Sequence, residues 1–279
     1  MEPKNASQNK LKSMFAAIVI PLTIVASFIL YLFVLGNSSN FDGGNAETGH
    51  PLNYMGIVYK GGIIVPVLMS FFLMVFTFSI ERQLTIQKAY GNGSLDNFLR
   101  DIKSSLNTGK LDAANKRCLE QQGSVGNVVF SVLKKYAQVV KDHHLTKDQK
   151  TVAVQKEIEE STALELPMLE KNLTIIATLA SIATLTGLLG TVIGMIKAFA
   201  ALATAGAPDA IALANGISEA LINTALGIAT SALAIISYNY FTSKIDTLTY
   251  SIDEIGFSIA QSVSMGGYKE SVLEETELV

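Results

Sequence analysis

The sequence has few of the residues that build disulfide frameworks and metal sites. It contains no tryptophan, a single cysteine, Cys118, and three histidines, His50, His143 and His144. One cysteine excludes a disulfide within the chain and any cysteine-rich zinc site. The histidines are too scattered for a convincing metal cluster, so we expect no metal and no cofactor.

Charge is also scarce. Charged residues make up 16% of the chain, against about 25% in a typical soluble domain. Proteins that bind nucleic acid carry an excess of basic residues. The net charge of this chain is −3, so we expect no nucleic-acid partner. No G-x-S-x-G, P-loop, H-E-x-x-H or C-x-x-C motif occurs, and we expect that the chain is not an enzyme.

The apolar residues, 49% of the chain, are concentrated in four long stretches. A helix needs ~20 apolar residues to cross a hydrocarbon core ~30 Å thick. The alternating polarity of barrel strands is absent. The sequence therefore predicts an all-α, polytopic membrane protein with about four transmembrane helices, in the stretches Met14–Leu35, Gly61–Ile80, Asn172–Ile196 and Ala210–Ser243.

The first stretch could instead be a cleaved signal peptide, because three lysines precede it. However, its 22 uncharged residues exceed the ~7–15 apolar residues of a signal peptide, and no A-x-A cleavage site follows. We therefore expect a retained helix.

The distribution of basic residues predicts the orientation. Thirteen lysines and arginines lie between residues 81 and 170, three precede the first stretch, and none lies between 198 and 219. Basic residues mark cytoplasmic segments, so both termini and residues 81–170 are expected inside. The spacing of Leu95, Phe98, Leu99, Ile102 and Leu106, repeated at Val128, Val129, Val132, Leu133 and Tyr136, predicts amphipathic helices there.

From Thr146 onward the polar sequence runs directly into the third apolar stretch. This predicts one long helix that leaves the membrane and is bent at Pro167.

Small and hydroxyl-bearing residues mark the third stretch. Gly187, Gly190 and Gly194 fall on one helix face, where small residues let helices approach closely in lipid. Packing within one subunit accounts for the glycines but leaves the hydroxyls unexplained. These hydroxyls predict a polar interior surface, and they belong to Thr174, Thr178, Ser181, Thr184, Thr186 and Thr191.

The fourth stretch carries one acidic residue, Glu219. A carboxylate inside a membrane is costly and is by default a candidate for function; the alternative is a position at the wet outer rim. Asn223 and Thr230 share its helix face, so the three residues form a polar stripe. Thr224 lies about 140° away from Glu219 at 100° per residue.

Two segments resemble the MotA/TolQ/ExbB proton-channel family, and its ExbB branch most. The first is GLLGTV-x-GM-x-x-AF, from Gly187 to Phe199, and the second is GI-x-EAL-x-x-TA-x-G, from Gly216 to Gly227. Glu81-Arg82, at the end of the preceding helix, also fits the family pattern. The sequence departs from that pattern at Lys197, where the family has an uncharged polar residue, and in the added helix 14–35.

The resemblance implies an inner-membrane motor driven by the proton motive force. Its members form homopentamers whose two motif helices line a pore, which holds a dimer of a single-span ExbD-like partner, and a TonB-like transducer carries force to outer-membrane transporters. By position, Thr191 and Thr224 match pore-lining threonines, Glu219 matches the helix glutamate, and Asn223 lies on the same proton pathway. Gly187, Gly190, Gly194 and Gly227 would pack the helices. Protons and membrane lipids are the remaining expected partners.

This interpretation gives an expected organisation by residue number. The segments are a cytoplasmic N-terminus (1–13), an extra transmembrane helix (14–35), a periplasmic loop (36–60), a transmembrane helix (61–80), a helical cytoplasmic domain (81–170), a pore-lining helix (171–200), a periplasmic loop (201–215), a second pore-lining helix (216–240) and a cytoplasmic C-terminal tail (241–279).

Other functions stay open. A TolQ-like stator would serve envelope maintenance and a MotA-like stator motility, although no charged patch for a rotor stands out in residues 81–170. A passive membrane scaffold is a further alternative, and the stripe at Glu219 argues against it.

One pairing follows from helix geometry if Thr191 and Thr224 face each other at one height. Lys197 is six residues outward from Thr191, ~9 Å, and Glu219 is five residues outward from Thr224, ~7.5 Å, at 1.5 Å per residue. Charges inside membranes tend to pair, so we predict an ion pair between Lys197 and Glu219. The alternative is that Lys197 reaches the headgroups alone.

Overall fold

The computed structural model describes residues 4–46, 49–142, 144–203 and 209–264. These residues are helical and contain no β-strand, only an isolated bridge between Phe41 and Pro51. The α-helices, in chain order, are α1 (Lys4–Ile29), α2 (Tyr54–Tyr59), α3 (Ile64–Tyr90), α4 (Leu95–Asn107), α5 (Leu111–Gln121), α6 (Gly123–Lys141), α7 (Lys147–Glu170), α8 (Leu173–Leu202) and α9 (Ala210–Ser264).

Four helical segments are long and apolar enough to cross a membrane. They are Phe15–Leu35, Ile64–Asn107, Lys147–Leu202 and Ala210–Val263, and each contains most or all of one predicted stretch. The predicted fold class, an all-α polytopic membrane protein, is confirmed.

The chain divides into two compact units, of which the first comprises residues 1–81 and 172–239. It contains α1, α2, most of α3, all of α8 and the first half of α9. Its surface carries rows of exposed apolar side chains, such as Leu22, Phe33, Leu185 and Leu221, as expected for helices surrounded by lipid.

The described residues between α1 and α3, 30–46 and 49–63, form several short helical turns. A π-helical turn, Leu30–Leu35, continues α1, and two 3₁₀ turns follow, Ser38–Asn40 and Asp42–Gly44. The amide nitrogen of the buried Asn40 donates to the carbonyls of Val34 and Leu35. The sequence predicted only a loop here, because its many turn-forming residues hide these tertiary contacts.

The second unit comprises residues 82–171 and 240–279. The amphipathic faces predicted for α4 and α6 are buried, as the spacing requires: Phe98, Ile102, Leu133 and Tyr136 are all at most 2% exposed. The α9 residues of this unit add Leu248, Ile255 and Ile259 to its core.

The predicted single helix from Thr146 into the membrane is wrong. Pro167 lies inside α7, which continues to Glu170, and the helix breaks at Lys171 and Asn172 before α8 begins. Asn172 adopts a left-handed backbone with φ of 68°, a conformation that asparagine tolerates better than most residues. The break therefore follows from the asparagine, not from the proline.

Several sequence-based expectations fall outside the described residues. They concern part of the 201–215 loop (residues 204–208), His143, and the acidic tail from residue 265 onward. The described part of α9 extends to Ser264, well beyond the expected end of the membrane helix at residue 240.

Candidate functional site

Glycines bring α8 and α9 into close contact. A Cβ atom on Gly194 would lie 2.6 Å from the backbone nitrogen of Ala220 and 2.7 Å from the carbonyl oxygen of Gly216. On α9, a Cβ atom on Gly227 would lie 2.7 Å from the carbonyl oxygen of Ala183. Contacts with backbone atoms this close exclude any side chain, so the small faces of the two helices pack against each other within one chain.

Gly187 and Gly190 extend the same interface. A Cβ atom on Gly190 would overlap Cβ of Asn223, and one on Gly187 would lie 3.0 Å from the carbonyl oxygen of Asn223. The four glycines predicted to pack helices are therefore all at the α8–α9 contact.

This close approach brings two hydroxyls together. Thr191 on α8 and Thr224 on α9 form a hydrogen bond between their side-chain oxygens, and either can be the donor. Thr224 can also donate to the carbonyl of Ala220 at 3.1 Å, which leaves its oxygen free to accept from Thr191. Both threonines are half-buried. The pair can accept and donate hydrogen bonds without holding a charge.

Nearer the connection between the two helices, Lys197 contacts Glu219. The ammonium nitrogen lies 2.6 Å from Oε1 and 2.8 Å from Oε2 of the carboxylate. The side chain of Glu219 is 8% exposed, whereas that of Lys197 is 55% exposed. A buried carboxylate is stable only when paired, and the half-exposed lysine supplies the positive charge from the surface side.

Asn223 lies one turn further along α9 and is fully buried. Its amide nitrogen donates to the carbonyl of Gly61 at 2.9 Å, while its Oδ1 atom has no partner among the described residues. Thr230, on the same face, is also buried. The stripe of Glu219, Asn223 and Thr230 therefore points into the protein, away from the exposed apolar face of α9.

The remaining hydroxyls of α8 are not part of this cluster. Thr174, Thr178 and Ser181 are exposed, and the hydroxyl of Thr178 donates to the carbonyl of Thr174 at 2.7 Å. Thr184 and Thr186 are half-buried. The structure thus brings together Thr191, Thr224, Lys197, Glu219 and Asn223, and it leaves three of the six hydroxyl residues on an open face.

Sequence reasoning missed Gly61 and Gly62, which join the site from the start of α3. Gly62 has a φ of 74°, and a Cβ atom on it would lie 2.7 Å from Oε1 of Glu219. The only available signal was the adjacent glycine pair after Lys60, and a pair of glycines by itself predicts no more than a turn.

Among the described residues, no group of three or more histidine, cysteine, aspartate or glutamate side chains could hold a metal ion. The cluster offers one carboxylate paired with one ammonium group, one hydroxyl pair and one buried amide. These groups can exchange hydrogen bonds and protons with water or with a neighbouring helix.

Comparisons with known proteins bear on this same region. Residues 126–254 match the model of the MotA/TolQ/ExbB proton channel family. The matched segment contains α8, the beginning and middle of α9, and every site residue described above except Gly61 and Gly62.

Individual relatives have names from two branches of the family. The chain is 42% identical to the biopolymer transport protein ExbB of Helicobacter pylori over 29% of this chain and 56% of that protein. It is 34% identical to a putative ExbB-like biopolymer transport protein of Synechocystis over 31% of this chain and 42% of that protein. It is 28% identical to the Tol-Pal system protein TolQ of Pseudomonas aeruginosa over 56% of this chain and 67% of that protein.

The match covers only about half the length of the two ExbB-named proteins. The segment that matches the family model, residues 126–254, includes both motif segments. Residues 126–254, just under half of the chain, are thus similar to the MotA/TolQ/ExbB proton channel family.

Proposed function

We propose that the chain is an ExbB-like subunit of an inner-membrane motor driven by the proton motive force. The observation that carries this proposal is the hydrogen-bonded pair of Thr191 and Thr224, which joins the two motif helices inside the family match. A hydroxyl pair can pass a proton or a water molecule on because it binds each only weakly, and a conduction site must release what it binds.

The driving force follows from membrane electrostatics. Each proton that crosses a potential of 100 mV releases ~2.3 kcal/mol, enough to bias a moving element. Glu219 is the one acidic residue in the four apolar stretches 14–35, 61–80, 172–196 and 210–243, and it is already paired with Lys197. We therefore propose that the proton is carried by an acidic residue of a single-span, ExbD-like partner that passes the threonine pair.

In the proposed assembly, five copies surround a dimer of this partner, and a TonB-like transducer carries the work to outer-membrane transporters. In this assembly both termini and residues 81–170 would lie in the cytoplasm. The exposed apolar rows on α8 and α9, including Leu185, Val192, Leu221 and Ile228, give this assembly the surfaces that would face neighbouring subunits, the partner or lipid.

A TolQ-like role in envelope maintenance is the second candidate. It is favoured by the similarity to TolQ of Pseudomonas aeruginosa, which covers more of this chain than the similarity to either ExbB-named protein above.

Deletion of the gene in its own host distinguishes these functions. An ExbB-like subunit predicts loss of transporter-dependent iron or vitamin uptake with a normal envelope. A TolQ-like subunit predicts detergent sensitivity and leakage of periplasmic proteins with normal uptake. Normal uptake together with a normal envelope would contradict both. Affinity purification of the chain, followed by mass spectrometry, tests for the single-span partner, and purification without one would contradict the proposed assembly.

A further inference from the structure

The backbone turn at Gly61 and Gly62 covers one side of Glu219. Gly62 has a φ of 74°, and the position of its missing Cβ is 2.7 Å from Oε1 and 3.1 Å from Cδ of Glu219. The carboxylate therefore occupies space that a side chain would fill in any other residue. Both the backbone conformation and the contact require glycine at this position.

The same turn is fastened to α9. The amide of Asn223 donates to the carbonyl of Gly61 at 2.9 Å, and the position of the missing Cβ of Gly61 is 3.0 Å from a methyl group of Ile222. These contacts lie within one helical turn of Glu219, so they fix the height of Gly62 beside the carboxylate.

Aromatic residues hold the other side of the turn. The hydroxyl of Tyr31 donates to the carbonyl of Tyr59 at 3.1 Å, and the two rings stack with centroids 4.6 Å apart. Phe41, which is 2% exposed, packs edge-on against Tyr59 at 5.5 Å. The end of α1 and the following loop thus hold Tyr59, and with it the backbone that leads through Lys60 into the glycine turn.

These contacts join a part of the chain outside the segment that matches the family model to a part inside it. Residues 31–62 precede the segment that matches the family model, which begins at residue 126, whereas Lys197 and Glu219 lie inside it. The chain's own N-terminal part therefore contributes a wall to a site built on the family's motif helices.

We propose that Gly62 is a positioning residue for the Lys197–Glu219 pair, and that Tyr31, Phe41 and the turn 59–62 act as a brace that closes one flank of the carboxylate. The Glu219 side chain is thereby kept 8% exposed, while the half-exposed Lys197 supplies its counter-charge. Because Gly62 has no Cβ, the carboxylate has the space beside this turn from which both its oxygens reach the ammonium group of Lys197.

Gly62→Ala tests this directly. Its methyl group needs the space of Oε1, and the flexible end of Glu219 can move away, so the carboxylate should leave its position with little change elsewhere. Gly43→Ala is the matched control: Gly43 also has a positive φ, 64°, in the same connection, but a Cβ atom there meets nothing within 4 Å. Both variants carry similar backbone strain, and only one touches Glu219.

The readout is chemical labelling of the purified full-length protein in lipid nanodiscs. A water-soluble carbodiimide with glycine ethyl ester converts accessible carboxyl groups to amides, and mass spectrometry compares Glu219 with Glu160, whose side chain is 60% exposed. We expect slow labelling of Glu219 in the wild type and in Gly43→Ala, and severalfold faster labelling in Gly62→Ala. Tyr31→Phe, which removes one hydrogen bond and keeps the ring stack, should give a smaller increase.

Two results would overturn the brace: labelling of wild-type Glu219 as fast as Glu160, or equal acceleration in Gly43→Ala and Gly62→Ala. If Gly62→Ala does not fold, unchanged labelling in Tyr31→Phe contradicts the brace by itself. The inference uses the geometry of the proposed functional site, but labelling needs neither a partner nor a membrane potential. A chain that fails to energise transport can therefore still support the brace, and the reverse also holds.

Discussion

Lys197 and Glu219 contact each other across α8 and α9, with the ammonium nitrogen 2.6 Å and 2.8 Å from the two carboxylate oxygens. The pair is asymmetric, because the glutamate is buried and the lysine is half-exposed. Among the described residues of α8 and α9, Glu219 is the one buried carboxylate, and the ammonium group of Lys197 neutralises it.

This difference in burial predicts that the two single mutants lose different amounts of stability. Lys197→Met leaves a buried carboxylate without a cation, whereas Glu219→Gln leaves a lysine that can reach polar surroundings. We expect Lys197→Met to lower the free energy of unfolding in detergent more than Glu219→Gln does. The double mutant should lose less than the sum, with a coupling of about 0.5–3 kcal/mol, as for residues in contact.

The control for this cycle is the exposed pair of Lys156 and Glu160 on α7, 3.6 Å apart and one helical turn from each other. Its coupling should be only about 0.3–0.5 kcal/mol. Additive losses in the cycle of Lys197 and Glu219 would mean that the two charges do not stabilise each other.

The α8–α9 contact predicts that Gly194 tolerates no side chain. The methyl group of Gly194→Ala would meet backbone atoms of Ala220 and Gly216, which cannot move without separating the helices. Overpacking of this kind typically costs about 1–3 kcal/mol, and we expect a lower thermal midpoint in detergent. Ala200→Ser, which adds one atom on an exposed position of the same helix, should leave the midpoint unchanged; an equal drop in both variants would argue against the close contact.

In the second unit, the contacts of Arg82 predict that its replacement lowers stability. Arg82 is 2% exposed, and its guanidinium group donates to the carbonyls of Leu169 at 3.0 Å and Met168 at 3.3 Å, at the end of α7. Hydrogen bonds that involve a charged group contribute about 1.5–3 kcal/mol, so Arg82→Ala should be clearly destabilising. The exposed Arg100→Ala serves as the control, and similar thermal midpoints for the two variants would contradict this role.

Cys118 should be chemically inert in the folded protein. The thiol is 2% exposed, and burial raises its pKa from 9.0 to about 12, with Arg117 opposing only part of the effect. Because the thiolate is the reactive form, we expect no alkylation by iodoacetamide at pH 8 until denaturant is added. Rapid alkylation of the native protein would place Cys118 at the surface.

The raised pKa of Cys118 also makes the free energy of unfolding depend on pH. The unfolded thiol ionises near pH 9 and the folded thiol only near pH 12, so the unfolded state binds fewer protons between these values. This group's contribution to stability is therefore complete below pH 9 and is lost as the pH rises from 9 toward 12.

The sequence predicts the membrane helices and much of the site because both depend on local patterns. Uncharged runs identify the spans, helical spacing places Gly187, Gly190 and Gly194 on one face, and the rise per residue puts Lys197 and Glu219 at one depth. The structure has these two charges in contact. Each of these predictions needs only the geometry of a regular helix.

The features that the sequence did not predict depend on contacts between distant residues. Asn223 and Gly61 are 162 positions apart, and no spacing rule connects a glycine turn to a glutamate on the last helix. The sequence predicts a bend at Pro167 because proline is the stronger general helix breaker. In the structure the helix instead ends at Lys171 and Asn172, where Asn172 has a left-handed backbone conformation. Likewise, a count of hydroxyls on α8 could not separate Thr191, which meets Thr224, from the exposed Thr174 and Thr178.

The most direct test of the proposed motor is energised transport in the threonine variants. Thr191→Val and Thr224→Val keep the shape of the side chain and remove the hydroxyl, while Thr191→Ser and Thr224→Ser keep the hydroxyl. The measurement is uptake by a dependent outer-membrane transporter in the host deletion strain, with assembly checked by copurification of the partner. The account predicts assembled complexes in all four variants, with uptake abolished in both valine variants and largely retained in both serine variants. Full uptake in both valine variants would contradict a role for the hydroxyl pair in the proton pathway.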